Sequence, residues 1–474
     1  MGKPFAQRFT AFAVTHLRLP GVEYLHLPAH HNGTHMLSAS FTPGKRVTGI
    51  QKNMDYLTSV DDASRCMKCG FCMSSCPVYG VDHMESHVAR GRNLLIQWAN
   101  KGEINTEGAY QDALSFCILC GRCEATCPAR ISSATLTVQA RAQLVTQKGL
   151  TWTEQLVYRG ILKHRSLVAR LLGLAAKIPG FSINEGKPLR HLADLASIFS
   201  RGLALPRLSS PFLSQRIPRR TLPPFGIQRC GEVAFFPGCG LEFFFADSGR
   251  AMIFALAEAG FEVVNPFGQT CCGLAVQSAG DLETATLMAR KNIEVLSSFS
   301  AVVTGCATCS AALKRYGDLF SPKDPLQGKA RELSQKIYDF SEFLVRPGFK
   351  PSKITAFPLR VTYHDPCHLR WHQGIHDAPR KILHALEGVT FIEMEGADTC
   401  CGLGGSFGIK HREISLAIQA KKMEAIKKTN AQVVVTSCPG CLIQLMDGVR
   451  RHQLPTKVMH IAQLLGEKTR GKVK

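Results

Sequence analysis

Long apolar runs and signals for secretion are missing from this sequence of 474 residues. No apolar run approaches the ~18 residues that a membrane-spanning helix needs. The N-terminus also lacks the uninterrupted apolar segment of a secretory signal. We therefore expect a cytoplasmic protein without a membrane span, with peripheral attachment at the inner face of the membrane as the alternative.

Glycine-rich nucleotide loops are missing as well. The phosphate-binding pattern Gly-x₄-Gly-Lys-Ser/Thr does not occur. Gly402-x-Gly404 is followed by Phe407 at the position where a dinucleotide-binding loop has its third glycine. We therefore expect any flavin or nicotinamide in the reaction to be bound by a partner.

Acidic residues are few, with 36 Asp and Glu against 57 Lys and Arg and a net charge of +21. Between Lys148 and Cys230 there are fourteen basic and three acidic residues. Apolar residues recur there at helical spacing, at Leu156, Ile161, Leu162, Val168, Leu171 and Leu172. This predicts a basic helical linker with a solvated face, and docking to an acidic partner or an anionic membrane is the alternative. No nucleic-acid-binding module accompanies the charge, so we expect no nucleic-acid partner.

Cysteine is abundant, and eight of the nineteen cysteines form two runs of the form CxxCxxCxxxCP. Bacterial ferredoxins have this spacing, in which three thiolates bind one [4Fe–4S] cluster and the fourth ligates the other. The crossed pattern predicts two ligand sets: Cys66, Cys69, Cys72 and Cys127; and Cys117, Cys120, Cys123 and Cys76. A zinc site or a disulfide framework is the weaker alternative, because zinc sites favour paired CxxC units and the cysteine total is odd.

The segment between the two runs predicts helices over residues 84–99 and 111–116. A compact bacterial ferredoxin would place fewer than these forty intervening residues between its runs. We therefore expect an α-helical ferredoxin domain over residues 51–147 rather than the small β-sheet version.

The C-terminal half is an internal duplication, which becomes visible when its cysteines are aligned. Each copy has a single cysteine, then a Cys-Cys-Gly motif after 31 or 32 residues, then a CxxC motif after 33 or 36 residues. The cysteines are Cys239, Cys271, Cys272, Cys306 and Cys309 in the first copy, and Cys367, Cys400, Cys401, Cys438 and Cys441 in the second. Five thiolates converging in one place require a metal centre.

Each copy repeats a strand, a loop and a helix. The predicted strands are 233–236, 261–264 and 301–304 in the first copy, and 360–363, 389–392 and 433–436 in the second. Helices are predicted over 246–259 and 282–297. The cysteines follow the strands, at the edge where open α/β sheets place their sites. We expect positive φ at the neighbouring glycines Gly273, Gly402, Gly404 and Gly405.

The twin cysteine-rich repeats resemble the CCG domains of heterodisulfide reductase, and the N-terminal half resembles that enzyme's ferredoxin subunit. The fused layout, over about residues 51–466, is similar to the iron–sulfur subunits of glycolate oxidase, D-lactate dehydrogenases and anaerobic glycerol-3-phosphate dehydrogenase. The resemblance implies two noncubane-type [4Fe–4S] clusters, one on each five-cysteine set, although cubane clusters could use four of the five. It also implies an α+β multidomain fold, in which an α-helical ferredoxin domain precedes a duplicated α/β CCG domain.

These patterns divide the chain into six predicted parts. They are a leader arm (1–50), the ferredoxin domain (51–147), the basic helical linker (148–229), the first CCG repeat (230–345), the second CCG repeat (346–466) and a basic tail (467–474).

Three smaller features have structural interpretations. Cys230 has no counterpart in the second copy and is expected to be a buried thiol. Asp365 is expected to cap the helix that follows Pro366. Four histidines, His364, His368, His372 and His376, are expected on one solvated or hydrogen-bonded helix face. Proton handling beside a cluster, or contact with a quinone, is the alternative for these histidines.

We expect an electron-transfer subunit with two [4Fe–4S] cubane clusters and two noncubane-type clusters. Its partner would be an FAD-containing oxidase of a 2-hydroxy acid such as glycolate or lactate, and its acceptor a quinone, a membrane-bound cytochrome or another carrier. The alternatives are a thiol–disulfide reductase with catalysis at a CCG cluster, and a relay module of a bifurcating complex. No residue is singled out as catalytic.

Overall fold

The structure is a computed structural model that describes residues 60–175, 206–346 and 358–465. Its N-terminal part is helical, and its C-terminal part alternates helices with strands of two sheets, so the predicted fold class is confirmed. The leader arm, the basic tail and linker residues 176–205 lie outside the described residues. No helix within the described ranges is long and apolar enough to cross a lipid bilayer.

The N-terminal part consists of helices around the two cysteine runs. They are Val60–Arg65 (3₁₀), Phe71–Ser75, Tyr79–Asp82, Glu85–His87 (3₁₀), Ala89–Lys101, Ala109–Ser115, Arg122–Ala125 and Ser133–Lys148. The predicted helix over 84–99 is therefore a 3₁₀ turn followed by an α-helix, which ends at Gly102 in the left-handed conformation. Buried Ile96, Leu114 and Leu136 join these helices in one small core.

Three helical segments follow at the start of the linker: Trp152–Gln155, the π-helix Leu156–Leu162 and Arg165–Ala175. The first begins with a capping box, in which Thr151 and Glu154 satisfy each other's backbone N–H groups. Leu156 and Leu171 are each 56% exposed. These two positions of the predicted apolar pattern therefore face solvent.

The first sheet has five strands in the order β1-β3-β2-β4-β5. The strands are β1 Arg220–Thr221, β2 Gly231–Phe235, β3 Phe261–Val264, β4 Val302–Thr304 and β5 Ile337–Asp339. Strands β2 to β5 are parallel, with Ala234 opposite both Val264 and Val302, and β1 adds to one edge in antiparallel orientation. The accompanying helices are Leu213–Arg216, Gly238–Phe243, Ala246–Glu258, Leu274–Ala279, Leu282–Leu296, Ala307–Leu313, Tyr316–Leu319 (3₁₀), Gln327–Gln335 and Phe340–Leu344.

The second sheet has four parallel strands in the order β7-β6-β8-β9. The strands are β6 Leu359–Tyr363, β7 Val389–Phe391, β8 Val433–Thr436 and β9 Lys457–His460. Its helices are Cys367–Gln373, Asp377–Ala385, Phe407–Lys410, Arg412–Thr429, Pro439–Arg451 and Ile461–Leu465. The parallel strands of both sheets follow the same order, as the duplicated sequence predicts. Their short Val-rich runs are buried, as is usual for parallel sheets covered by helices.

The two copies exchange their last helices. Phe340–Leu344, which ends the first copy, packs against Asp377–Ala385 of the second. Ile461–Leu465, which ends the second copy, packs against Ala246–Glu258 of the first. One apolar core therefore runs through both copies, with Phe235, Val303, Val361 and Val435 among its buried residues.

Candidate metal centres

Both cysteine runs fold into the same loop. Lys68 and Leu119, two residues after the first cysteine of each run, have φ values of 55° and 58°. Gly70 and Gly121 have φ values of 86° and 76° and begin the short helices that carry the third cysteines. Left-handed residues alternating with ordinary ones gather backbone N–H groups into an anion-binding turn, which suits the sulfides and thiolates of a cluster.

The fourth cysteine of each run lies beside the other run. Cys127 lines one cavity with Cys66, Cys69 and Cys72, and Cys123 borders the same cavity. Cys76 lies near Cys117 and Cys123. The structure thus brings together the members of both crossed sets.

A buried arginine lies within the second of these sets. Arg92 is 2% exposed and close to Cys76, Cys117, Cys120 and Cys123. Burial raises the pKa of Cys76, and the guanidinium of Arg92 opposes this rise. Arg92 also donates to the carbonyl oxygen of His87. Because Arg92 is buried, its positive charge stabilises the thiolate forms of these cysteines with little screening by solvent.

The five cysteines of the first copy form a continuous series of neighbouring thiols at the carboxyl ends of β2 and β4. The order of contacts is Cys239, Cys271, Cys272, Cys309 and Cys306. Cys239 lowers the pKa of Cys271, but Cys272 and burial outweigh this effect and raise it to about 12. A Cβ atom on Gly238 would lie 2.7 Å from the Sγ atom of Cys309, so only glycine allows this close approach.

The second copy repeats this series at the ends of β6 and β8. The order is Cys367, Cys400, Cys401, Cys441 and Cys438. Cys367 lowers the pKa of Cys400, but Cys401 and burial outweigh this effect and raise it to about 12. The four glycines predicted to have positive φ do so, at 84° for Gly273, 95° for Gly402, 54° for Gly404 and 61° for Gly405. The backbone N–H of Gly402 donates to the Sγ atom of Cys400 at 3.4 Å.

The two series meet at Cys306 and Cys438, whose thiols are in hydrogen-bond contact. The hydroxyl of Thr308 lies 3.4 Å from the Sγ atom of Cys438, and the N–H of Ala307 donates to the carbonyl oxygen of Ser437 at 3.0 Å. Pro439 stands where Ala307 stands in the first copy and has no N–H to return this bond. The imidazole of His460 lies 2.8 Å from the carbonyl oxygen of Gly305 instead.

The helical part contacts the second copy through Cys120. Its pKa is raised well above the usual value by burial, with Cys400 and Cys367 adding to the effect. The guanidinium of Arg122 donates to the Thr399 hydroxyl at 3.0 Å. His372 Nε2 lies 3.0 Å from the carbonyl oxygen of Leu119. The loop of the second cysteine run therefore lies directly against the second CCG motif.

The surroundings of the two five-cysteine sets differ. In the first copy Phe236 precedes Cys239 by three residues, and the buried Arg165 donates to the carbonyl oxygen of Gly238 at 2.7 Å. In the second copy His364 precedes Cys367 by the same interval and is fully buried. Its pKa is lowered to about 3 by burial and by the charge of Lys422.

The helices beside the CCG motifs differ as well. Asn292 donates to the carbonyl oxygen of Cys271 at 3.0 Å. Lys422, at a similar place in the second copy, donates to the carbonyl oxygen of Gly396 at 2.6 Å. Burial lowers the pKa of Lys422 to about 8, against the opposing effect of Cys401 and Cys400. The first CCG site therefore has the neutral side-chain amide of Asn292 beside it, whereas the second has the side-chain amine of Lys422.

Several sequence predictions about single residues are wrong. His364 lies at the end of β6 rather than on the following helix, and it shares no solvated face with His376. Asp365 does not cap that helix, because its carboxylate accepts two hydrogen bonds from Arg380, at 3.0 and 2.8 Å. Cys230 is exposed rather than buried. Arg165, counted within the solvated basic face, is 4% exposed.

Sequence reasoning missed Arg92, Arg165 and Lys422 as neighbours of the cysteine sets. Each is a single basic residue on a helix far from its cysteines in sequence, and no spacing distinguishes it from a surface cation. His364 had a usable signal, because it occupies the place of Phe236 when the two copies are aligned.

Comparison with family models agrees with this architecture. Residues 62–131 match the 4Fe-4S dicluster domain, and residues 233–314 and 361–446 each match the Cysteine-rich domain. The fold and the sites therefore define an iron–sulfur protein with one dicluster domain and a duplicated cysteine-rich domain.

Two relatives share most of this layout, and a third matches about half of the chain. The chain is 32% identical to a probable glycolate oxidase iron-sulfur subunit from Bacillus subtilis, over 90% of this chain and 98% of that protein. It is 28% identical to one subunit of the fumarate reductase (CoM/CoB) from Methanothermobacter marburgensis, over 84% of this chain and 71% of that protein. It is 32% identical to lactate utilization protein A from Oceanobacillus iheyensis, over 51% of this chain and 98% of that protein. The chain belongs to the family of fused heterodisulfide reductase-like iron–sulfur subunits.

The residues present fit iron–sulfur clusters. Eighteen thiols lie in groups, and none of the nineteen cysteines forms a disulfide. Thiolates are the ligands of such clusters, and the left-handed loops supply the close backbone approach that clusters require.

Proposed function

We propose that this chain is the iron–sulfur electron-transfer subunit of a flavin-dependent 2-hydroxy acid oxidoreductase of the glycolate or lactate type. It would pass electrons toward a quinone or another carrier. The observation that carries this proposal is the unbroken series of thiol groups from the helical part, through the second copy, to the first. The names of the glycolate oxidase and lactate utilization relatives support the substrate class.

We assign one [4Fe–4S] cubane to each crossed ferredoxin set and one noncubane-type cluster to each five-cysteine set. The proximity of Cys127 to the first run and of Cys76 to the second supports the crossed assignment. When bound, such clusters accept and donate single electrons. The chain's own residues hold them in order, exclude water through buried packing, and set their surrounding charge through Arg92, Arg165 and Lys422.

The order of the proposed relay follows from one exposed cysteine and two contacts between neighbouring sites. The outermost site is the set that includes Cys69, which is exposed. The second ferredoxin set reaches the second CCG site through Cys120, and Cys438 reaches the first CCG site through Cys306. Electrons entering at either end would pass all four sites in sequence.

A thiol–disulfide reductase is the second candidate. Both CCG motifs keep all five cysteines, and the similarity to the fumarate reductase (CoM/CoB) relative extends over both copies. In that case a CCG cluster would transfer two electrons to a disulfide, one at a time. Together with two protons, these electrons would convert the disulfide into two thiols. A relay module of a bifurcating complex would need the same series of sites without contact to substrate.

The test is an anaerobic assay of the chain with and without an FAD-containing oxidase partner. The chain alone should not oxidise glycolate or lactate, because removal of a hydride needs a two-electron acceptor. With the partner, Cys401→Ala should block transfer to quinone and leave reduction of the flavin by substrate intact. Flavin-free turnover, or dye-linked reduction of a disulfide by the chain alone, would overturn the proposal.

A further inference from the structure

One fully buried imidazole lies beside the second CCG site. His364 is 0% exposed, and neither ring nitrogen makes a hydrogen bond of ordinary geometry within the described residues, although the backbone of Ala397 lies nearby. Buried polar groups in folded proteins nearly always have a hydrogen-bond partner, so a buried imidazole without one calls for an explanation. One ring nitrogen of His364 and the Sγ atoms of Cys401 and Cys441 all lie within 4.8 Å of one another.

The fold itself does not require a histidine here. Phe236 occupies the same place in the first copy, three residues before the first cysteine, and is also fully buried. An aromatic hydrocarbon ring therefore fills this position at the end of the strand. The imidazole in the second copy adds only two nitrogen atoms, and one of them lies beside two cysteines of the CCG site.

We propose that His364 is a nitrogen ligand of the metal centre at the second CCG site, beside Cys401 and Cys441. The second centre would then have a mixed ligand set of cysteines and one histidine, whereas the first has cysteines alone. This inference rests on the proposed cluster at that site and not on the identity of substrate or acceptor.

The distances suit such a ligand. The three donor atoms lie within 4.8 Å of one another, so the ring nitrogen lies among the thiols assigned to this centre. An imidazole that binds an iron in place of one of the five thiolates raises the potential of the centre, as in Rieske centres. The second centre is therefore expected to have the higher potential of the two.

The first experiment is pulsed EPR on the full-length chain, reconstituted anaerobically and reduced, with ¹⁵N only in the histidine rings. Ring labelling separates a ligand imidazole from backbone nitrogens that donate to the cluster. We expect a directly coupled ring nitrogen in the wild-type protein. The signal should disappear in His364→Phe, which copies the first site, and remain in His368→Gln. His368 is the matched control, because its Nδ1 atom lies 3.5 Å from the Sγ atom of Cys367.

A second variant keeps the proposal testable if His364→Phe fails to fold. His364→Cys should retain the iron content of the wild type and shift the midpoint potential of one centre to a more negative value. A full iron complement without a coupled ring nitrogen, or a coupling that is lost only in His368→Gln, would overturn the ligand proposal alone. Absence of cluster iron from the second copy of the wild type would overturn this proposal together with the proposed cluster.

Discussion

The two CCG copies have the same five cysteines in the same order, at the ends of strands with the same connections. They differ in the residues that surround those cysteines. The first site has Phe236, Asn292 and the guanidinium of Arg165, whereas the second has His364 and Lys422. Both copies contact the helical domain, but only the second does so beside its CCG cysteines, through Cys120, and the first copy's cysteines lie at the far end of the series. Duplication has thus preserved the five cysteines while their environment has diverged, so the two proposed centres are expected to differ in potential and in neighbours.

The largest predicted effect concerns the place of each copy in the series. Replacing Cys271 and Cys272 with serine, or Cys400 and Cys401, should remove about four of about sixteen irons in each case, counting four irons per cluster. Only the second pair lies next to Cys120. EPR of the reduced protein should therefore show altered spin coupling at the neighbouring cubane only in the Cys400 and Cys401 variant. Equal effects of both variants on that cubane would contradict the linear order.

A matched comparison is available within the ferredoxin runs. The proposed crossed ligation predicts that Cys76→Ser damages the cubane assigned to Cys117, Cys120 and Cys123. Cys127→Ser should damage the other cubane. EPR of the two single variants distinguishes crossed ligation from local ligation, which predicts the reverse assignment.

The third prediction concerns a buried carboxylate of the second copy. Asp447 is 1% exposed and accepts hydrogen bonds from Arg412, Arg450 and Arg451 at 2.7, 3.1 and 2.8 Å. The first copy has the exposed Arg315 at this place. Asp447→Asn should lower the free energy of unfolding by about 3 kcal/mol, measured by denaturant titration at pH 7, because buried guanidinium charge loses its partner. Asp318→Asn, in an exposed pair with Arg315, is the control and should cost under ~1 kcal/mol.

The Asp447 effect should depend on pH in one direction. Burial raises the pKa of this carboxyl, but the three arginines and Gln419 outweigh burial and lower it to about 2. An unfolded Asp has a pKa of about 3.9. Its stabilisation is therefore present above about pH 4 and is lost as the pH falls from there toward 2. The difference between wild type and Asp447→Asn should narrow over this interval, and a constant difference would contradict the assignment.

The smallest predicted effect concerns the basic helix beside the first copy. Arg170 is exposed and lies over the ring of Phe267, 4.0 Å from its centroid, whereas Arg165 is buried against the first CCG loop. If this helix docks an acidic partner, Arg170→Glu should weaken association by under ~1 kcal/mol. Added salt should also weaken association, because the Debye length is only about 8 Å at physiological ionic strength. Arg165→Glu should instead reduce iron at the first copy. If the binding measured across salt concentrations is the same for wild type and Arg170→Glu, this helix is a solvated surface and not a docking site.

The strands that precede the cysteines could be predicted from the sequence, whereas three of the four edge strands could not. Strands 261–264 and 433–436 were predicted with the observed bounds, because a buried Val-rich run is a strong local signal. Strands β1, β5 and β9 were not predicted, since they lack a Val-rich run and gain their order from pairing with a neighbour. Asp365 resembled a cap in sequence, but Arg380 lies close enough in the fold to bind its carboxylate. Such contacts between distant residues leave no local pattern.

The exchange of the last helices between the copies bears on how such a duplication could arise. Ile461–Leu465 packs against Ala246–Glu258, and Phe340–Leu344 packs against Asp377–Ala385, so one apolar face of each of these helices is covered by the other copy. A chain with a single copy would expose this apolar face to solvent. Its own last helix would also have no partner to pack against. In a dimer of two such chains, the last helix of each chain would cover the exposed apolar face of the other, which is an isologous, domain-swapped interface. The arrangement is therefore that of a symmetric homodimer whose subunits have been joined end to end. Once they were joined, each half was free to change the surroundings of its metal site independently.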